Sequence, residues 1–535
     1  MLKNRVFRIC IAAILLAVML LSTCSCAFLL PSKMILKNAY KDVIEEIAEG
    51  VDDYYKKLDA YDVRNMSVDA DISVELSSAL INMLNSSTDV GIDLSLLNDA
   101  DIHISENSKD NRASVQATLG YKGDELISAD AIADLVNGDL YFAVPLLTSK
   151  SLMLDLQDVL DVDTAVITAG ADIAKVLPDS KVIKNLMYRY FDIIMDNVNN
   201  VEKGITTLTA NGISQKCVVL ELTLTQLEVA NIMLDVASAL KQDKDVKNII
   251  YSAVEYINEM QRAIDGEYAY ILDPEEQYAE FVESCEDVIE DVQMAIDDGD
   301  VKDVTMVTVY NYMNFSHDII GIDARCVEEY DSVRIFAGKA DDGEQIGVEV
   351  SVETYYDDEF GSTENFKLLG TTQENKDIVS GSYEIIVDQE SMLFIDFENI
   401  DTDLLEDGYI NGSITLSPSS GLIDIIQNEV DIDSSIAGVA ASAMSLKLDI
   451  EQKNNKSIKV VASVISGRSS YLTVTVDATI SKGKDIVIPT DVTQDMNVWE
   501  DDFDFNALLE RVQNSQLPDS IVQLIQLYIL MLQWS

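Results

Sequence analysis

Ser67-Val68-Asp69-Ala70-Asp71-Ile72-Ser73-Val74-Glu75-Leu76 is the stretch on which the fold turns. In an extended chain Val68, Ala70, Ile72, Val74 and Leu76 share one side, and Ser67, Asp69, Asp71, Ser73 and Glu75 share the other. Successive side chains of a strand point to opposite faces, so a period of two predicts a strand with one apolar and one solvated face. The alternation returns at residues 471–480, where Leu472, Val474, Val476 and Ala478 interleave with Thr473, Thr475, Asp477 and Thr479. Further strands are expected at 101–105, 113–121, 139–144, 152–156, 204–210 and 215–224. From 303 onward they are expected at 304–310, 319–327, 332–337, 345–353, 382–387, 392–397, 409–416, 444–451 and 457–466. Asn211-Gly212 is a tight hairpin turn by composition, and Asn454-Asn455 and Gly467-Arg468-Ser469 read as hairpin connections. Hairpin-rich order implies antiparallel sheet with one face covered.

Three- and four-residue spacing replaces the period of two elsewhere. Leu36, Tyr40, Val43, Ile44, Ile47, Val51, Tyr54 and Leu58 predict a helix over 34–58. Helices are expected over 164–177, 181–201, 226–241, 244–264 and 274–296, the last opened by Pro274 with Glu275 and Glu276. Between Leu227 and Leu240 polar residues are few, which predicts a helix buried on more than one side or lidding a cavity. Two more are expected at 503–512 and 520–534. The second is uncharged, too short to span a bilayer, and reads as a buried C-terminal cover helix. The resulting fold class is α+β: long curved antiparallel sheet with helices packed on one face, an N-terminal helix and a C-terminal cover helix. Residues 1–26 form a signal or anchor, 27–302 an N-terminal helix, sheet and helical block, and 303–535 a β-rich region with terminal helices. One sheet or two is left open.

The address is written in the first residues. Lys3, Arg5 and Arg8 precede an apolar run over 9–21, of the length of a secretory signal core. Leu21-Ser22-Thr23-Cys24 resembles a bacterial lipobox, whose cysteine is lipidated, so Cys24 is the expected lipidation site, although Thr23 stands where Gly, Ala or Ser is usual. The apolar character resumes at Ala27, Phe28, Leu29 and Leu30, so an uncleaved membrane anchor is the other reading, and simple secretion a third. Each places the bulk of the chain on the extracytoplasmic side of a cell membrane, with the envelope membrane as its partner through lipid or anchor.

Composition narrows function. With 94 acidic against 37 basic residues among 535, the net charge is −57, which repels nucleic acid. Apolar content of 48% supplies a real core. Beyond the leader only Cys217, Cys285 and Cys326 remain, with no C-x-x-C; Cys285 sits among acids that disfavour its thiolate, and the other two lie in apolar runs. The two histidines, His103 and His317, each stand alone, without the flanks of a nucleophile elbow or a zinc motif. Phosphate-binding loops are absent. Acidic clusters such as 297–300, 341–344, 357–359 and 431–433 do not fit the twelve-residue calcium loop and read as solvated turns. No catalytic residue, metal ligand or cofactor is expected, and the chain is read as a non-enzyme.

The order of elements, with Asn137-Gly138-Asp139-Leu140-Tyr141-Phe142-Ala143-Val144-Pro145 in the style of strands in clostridial lipoproteins of this kind, resembles the LolA/LprG/LppX-type bacterial envelope lipoproteins. That resemblance implies a curved antiparallel sheet, helices over its concave side and a lipid bound there, in a chain longer than the usual member. Only Cys24 carries over by position. The leading expectation is a membrane-tethered, non-catalytic lipoprotein that binds or carries a lipid or other apolar ligand. The alternative is a surface interaction protein with a dry core and no small-molecule ligand.

Overall fold

The computed structural model describes residues 31–60, 65–87, 93–156, 159, 178–265, 269–327, 331–340, 343–355, 363–423 and 444–532. Twenty strands join in one large open sheet. In chain order they are β1 (Asn65–Leu76), β2 (Ala100–Lys109), β3 (Arg112–Tyr121), β4 (Asp124–Asp134), β5 (Asp139–Ala143), β6 (Ser151–Asp155), β7 (Asn200–Ala210), β8 (Ile213–Thr225), β9 (Thr305–Met313) and β10 (Ile319–Cys326). There follow β11 (Ser332–Lys339), β12 (Gln345–Tyr355), β13 (Thr363–Asn375), β14 (Ile378–Val387), β15 (Glu390–Asp401), β16 (Asn411–Pro418), β17 (Ser445–Asn454), β18 (Ser457–Ser466), β19 (Ser469–Lys482) and the short β20 (Val492–Thr493).

Pairing follows the chain from β7 at one edge to β19, then steps back to β1 and runs through β2, β3, β4, β5 and β6 to β20. Every pair is antiparallel except β6 with β20. The two stretches that alternate most cleanly in sequence are therefore neighbours: Val68 faces Ile480, Ile72 faces Val476 and Leu76 faces Leu472. This pairing and that of β8 with β9 both carry the sheet across residue 302. The question of one sheet or two is answered by a single one. At the Asn211-Gly212 turn both residues take positive φ, 42° and 83°, as a tight hairpin requires.

The helices are α1 (Ser32–Ala60), α2 (Ser78–Ser87), α3 (Ser180–Asn197), α4 (Gln226–Leu240), α5 (Lys244–Asp265), α6 (Pro274–Asp297), α7 (Thr402–Glu406), α8 (Met496–Glu500), α9 (Phe505–Asn514) and α10 (Asp519–Leu532). Leu36, Tyr40, Val43 and Ile44 of α1, Phe191 and Met195 of α3, and Val229, Ile232 and Met233 of α4 bury one core with Leu220, Val309 and Ile322 of β8, β9 and β10. Tyr40 donates its hydroxyl to the buried Asn311 side chain of β9, so the polar tip of a core aromatic is satisfied inside the sheet. α4 begins at a capping box, Thr225 with Glu228. Its other side meets α6, whose Val288 and Val292 abut the same core, so it is buried on more than one side as expected.

Several expectations shift. The helix predicted over 181–201 ends at Asn197, because β7 takes the chain from Asn200. β4 and β13 are strands the sequence pattern did not reveal. The helix expected at 164–177 lies outside the described residues. The terminal helix, expected to be buried, packs on α9 and buries Ile529, but leaves Leu524, Leu527, Tyr528, Leu530 and Met531 about half exposed.

Candidate apolar binding face

Register aligns the apolar sides of neighbouring strands. One row crosses β17, β18, β19, β1, β2, β3 and β4 as Ile450, Val460, Val476, Ile72, Ile102, Leu119 and Ile127. Another crosses β8 to β15 as Leu220, Asn311, Ile322, Ile335, Val350, Leu368, Ile385 and Leu393. Beside it Tyr383 stacks on Phe397 with ring centroids 5.6 Å apart, and its hydroxyl meets that of Thr372 at 2.8 Å. The rows belong to one face, because a strand's side chains alternate and each pairing preserves parity.

Burial along this face is uneven. At the β8–β10 end Leu220 is wholly buried and Ile322 nearly so, under α1, α3 and α4. At the far end Leu152 of β6 and Val144 pack with Trp499 of α8, against Phe142, Ile127 and Ala129. Between these ends Ala478 and Ile400 are buried, but several larger apolar residues are open: Ile102, Val115 and Leu119 are each 41% exposed, Phe366 39% and Leu446 38%. Across the central strands the carboxylate positions on this side are Glu106, paired with Val68 and Val115, and, at the two ends of β13, Glu364 opposite Thr354 and Glu374, which pairs with Lys339 of β11 at 2.9 Å. A contiguous apolar surface of this extent marks a binding site far more often than bare protein surface.

The opposite face is polar and largely answers itself. Asp71 meets His103 at 2.8 Å, Asp69 accepts from Ser105 at 2.6 Å, and Asp130 accepts from Gln116 at 2.7 Å. Burial works to raise the Asp449 carboxyl, but Lys447 and the Ser413 hydroxyl outweigh it and hold it below the usual range. Deeper in the sheet Asp323, almost without solvent contact, pairs with Arg325 of its own strand and with Arg334 of β11.

A second apolar feature adjoins the far end of the face. α9, α10 and the segment before them surround a groove of about 950 Å³. Phe142 of the sheet touches Trp499 at a centroid distance of 5.7 Å, Trp499 touches Phe503 at 4.7 Å, and Phe503 touches Phe505 at 5.8 Å. Phe503 and Phe505 line the groove with Leu527 and Met531. An unbroken aromatic wall thus joins groove and sheet.

The residues singled out in sequence are scattered. Cys24 lies outside the described residues, as do the acidic runs 357–359 and 431–433. Cys217 on β8, Cys285 on α6 and Cys326 on β10 are separate buried cysteines in no disulfide, and burial pushes the first two above the ordinary thiol range. His103 does not stand alone, since β1 brings Asp71 beside it, with both side chains open to solvent. His317 is buried in the β9–β10 turn, remote from His103 along the sheet. Among the described residues no three His, Cys, Asp or Glu side chains are grouped to hold a metal, and no helix is long and apolar enough to cross a membrane. No protein-family model matches the chain, and neither the curated proteins nor the solved structures contain a match.

Proposed function

We propose that this chain is an extracytoplasmic lipoprotein, tethered through Cys24, that binds or carries a lipid on the apolar face of its sheet and catalyses no reaction. The observation that carries this reading is the aliphatic surface from β12 through β19 and β1 to β3, partly open to solvent, with Glu106 the carboxylate among its mid-strand positions and Glu364 and Glu374 at the ends of β13. Each methylene of an acyl chain laid on such a surface gains roughly 0.8 kcal/mol relative to water. In this reading the helices lie over one face of a curved sheet. α1, α3 and α4 close one end, α8 closes the other, and α10 is the cover helix whose apolar side turns to ligand. The same order of elements underlies the likeness to LolA/LprG/LppX-type lipoproteins.

The test is native mass spectrometry of residues 27–535 purified from a membrane-containing host, with organic extraction of what accompanies them. A stoichiometric lipid is expected, and the paired substitutions Ile102→Asp and Leu119→Asp, at exposed facing positions, are expected to remove it. A clean protein mass that takes up no added lipid would refute lipid carriage and favour a surface protein acting through protein contacts. Fatty-acid labelling that persists in Cys24→Ala would refute the tether.

A further inference from the structure

The groove between α9 and α10 carries a charge pattern that selects among lipids. It is entered from the segment Trp499-Glu500-Asp501-Asp502-Phe503-Asp504-Phe505, in which aromatics and carboxylates share one short run. Trp499 is buried against the sheet, while Phe503 and Phe505 form the groove wall. Two of the four carboxylates are committed elsewhere. Asp504 caps α9 by accepting from the backbone of Asn506 and Ala507, and Asp502 accepts from Thr148 and pairs with Lys150 at 3.4 Å. Glu500 and Asp501 line the groove itself, and neither has a side-chain ion pair among the described residues. Opposite them stands the α10 wall of Leu524, Leu527, Tyr528 and Met531. Among the described residues no lysine or arginine lines the groove.

Resting on the lipid-binding reading above, we infer that this groove takes a lipid whose headgroup has no net negative charge. The apolar wall holds the acyl chain, and Glu500 and Asp501 receive a cationic or hydrogen-bond-donating headgroup at the rim. A headgroup with unbalanced negative charge meets two solvent-exposed carboxylates and, among the described residues, no compensating cation, so like-charge repulsion disfavours it. The aromatic contacts from Phe505 through Phe503 and Trp499 to Phe142 make the groove continuous with the sheet face, which gives the bound chain a path onto it.

The experiment offers full-length protein in neutral detergent an equimolar mixture of phosphatidylcholine and phosphatidylglycerol with identical acyl chains. Native mass spectrometry then reads the ratio bound. The inference expects phosphatidylcholine to be favoured about tenfold. The double variant Glu500→Gln with Asp501→Asn is expected to bring the ratio near one, and Leu527→Asp, at a position 55% exposed in the fold, to lower uptake of both lipids. Equal binding of the two lipids by the unaltered protein overturns the headgroup inference and leaves lipid binding standing. Undiminished uptake by Leu527→Asp overturns the groove as the site. Uptake of neither lipid overturns this inference together with the lipid-binding reading itself.

Discussion

His317 sits in the β9–β10 turn with φ at 73°, a left-handed backbone that Asn tolerates better than most side chains. Burial, and then the positive charge of Lys203 from β7, push its pKa below 6.5, with only Asp318 pulling the other way. A histidine with a depressed folded-state pKa takes up its proton more readily in the unfolded chain. Its contribution to stability is therefore complete above about pH 6.5 and is lost as pH falls toward the folded value. His317→Asn keeps the turn and removes the titration. Melting temperatures at about pH 7.5 and about pH 5.5 should fall less in the variant than in the parent; an equal fall in both would show that His317 is protonated in the folded protein without cost. At this scale the sequence exposes residue types but not partners. His103 looked solitary because Asp71 is 32 positions away and reaches it only through the β1–β2 register.

Elements differ in how openly they announce themselves. β1 is legible because every second residue from Val68 to Leu76 is apolar. β13, Thr-Glu-Asn-Phe-Lys-Leu-Leu-Gly-Thr-Thr-Gln-Glu-Asn, hides its apolar face behind Gly370 and Thr372, and the Gly370 position is needed because a Cβ there would run into the Tyr383 ring. β4 hides its own behind alanines, which read equally well as helix. The length and apolar character of α10 were legible too, but hydropathy does not say what lies against it. Glycine substitutions separate these environments. At Gly347 of β12 a Cβ would collide with the Ala210 carbonyl and Ile213 of the β7–β8 hairpin, which packs across β11 and β12. At Gly50 of α1 nothing stands within 4 Å. Alanine usually stabilises a helix interior by about 0.5–1 kcal/mol, so Gly50→Ala should raise denaturant stability by that amount. Gly347→Ala should lower it by about 1–3 kcal/mol through overpacking. A neutral Gly347→Ala would mean that the hairpin does not rest on β12 in solution.

At the scale of the whole molecule the decisive fact is the seam between β19 and β1, which joins residues about 400 positions apart in sequence. Local pattern predicts both strands and says nothing about their pairing, because alternation specifies a face and not a neighbour. The seam makes the N-terminal strands hostage to the C-terminal ones. β1 hydrogen-bonds β19 on one side and β2 on the other, so losing β19 turns β1 into an edge with an exposed apolar face. Val476 lies in the middle of β19, opposite both Val460 and Ile72. Proline there removes a ladder donor and distorts a central strand. Hydrogen exchange of Val476→Pro should therefore show protection lost together in β18, β19, β1 and β2, hundreds of residues apart in sequence. The β8, β9 and β10 strands, held under α1, α3 and α4 by their own core, should keep theirs. If exchange instead rises only in β18 and β19, the seam contributes little, and the N-terminal strands are held by the helices and turns around them. If it rises everywhere, the sheet unfolds as one cooperative unit, and a lipid on its central strands would stabilise both ends at once.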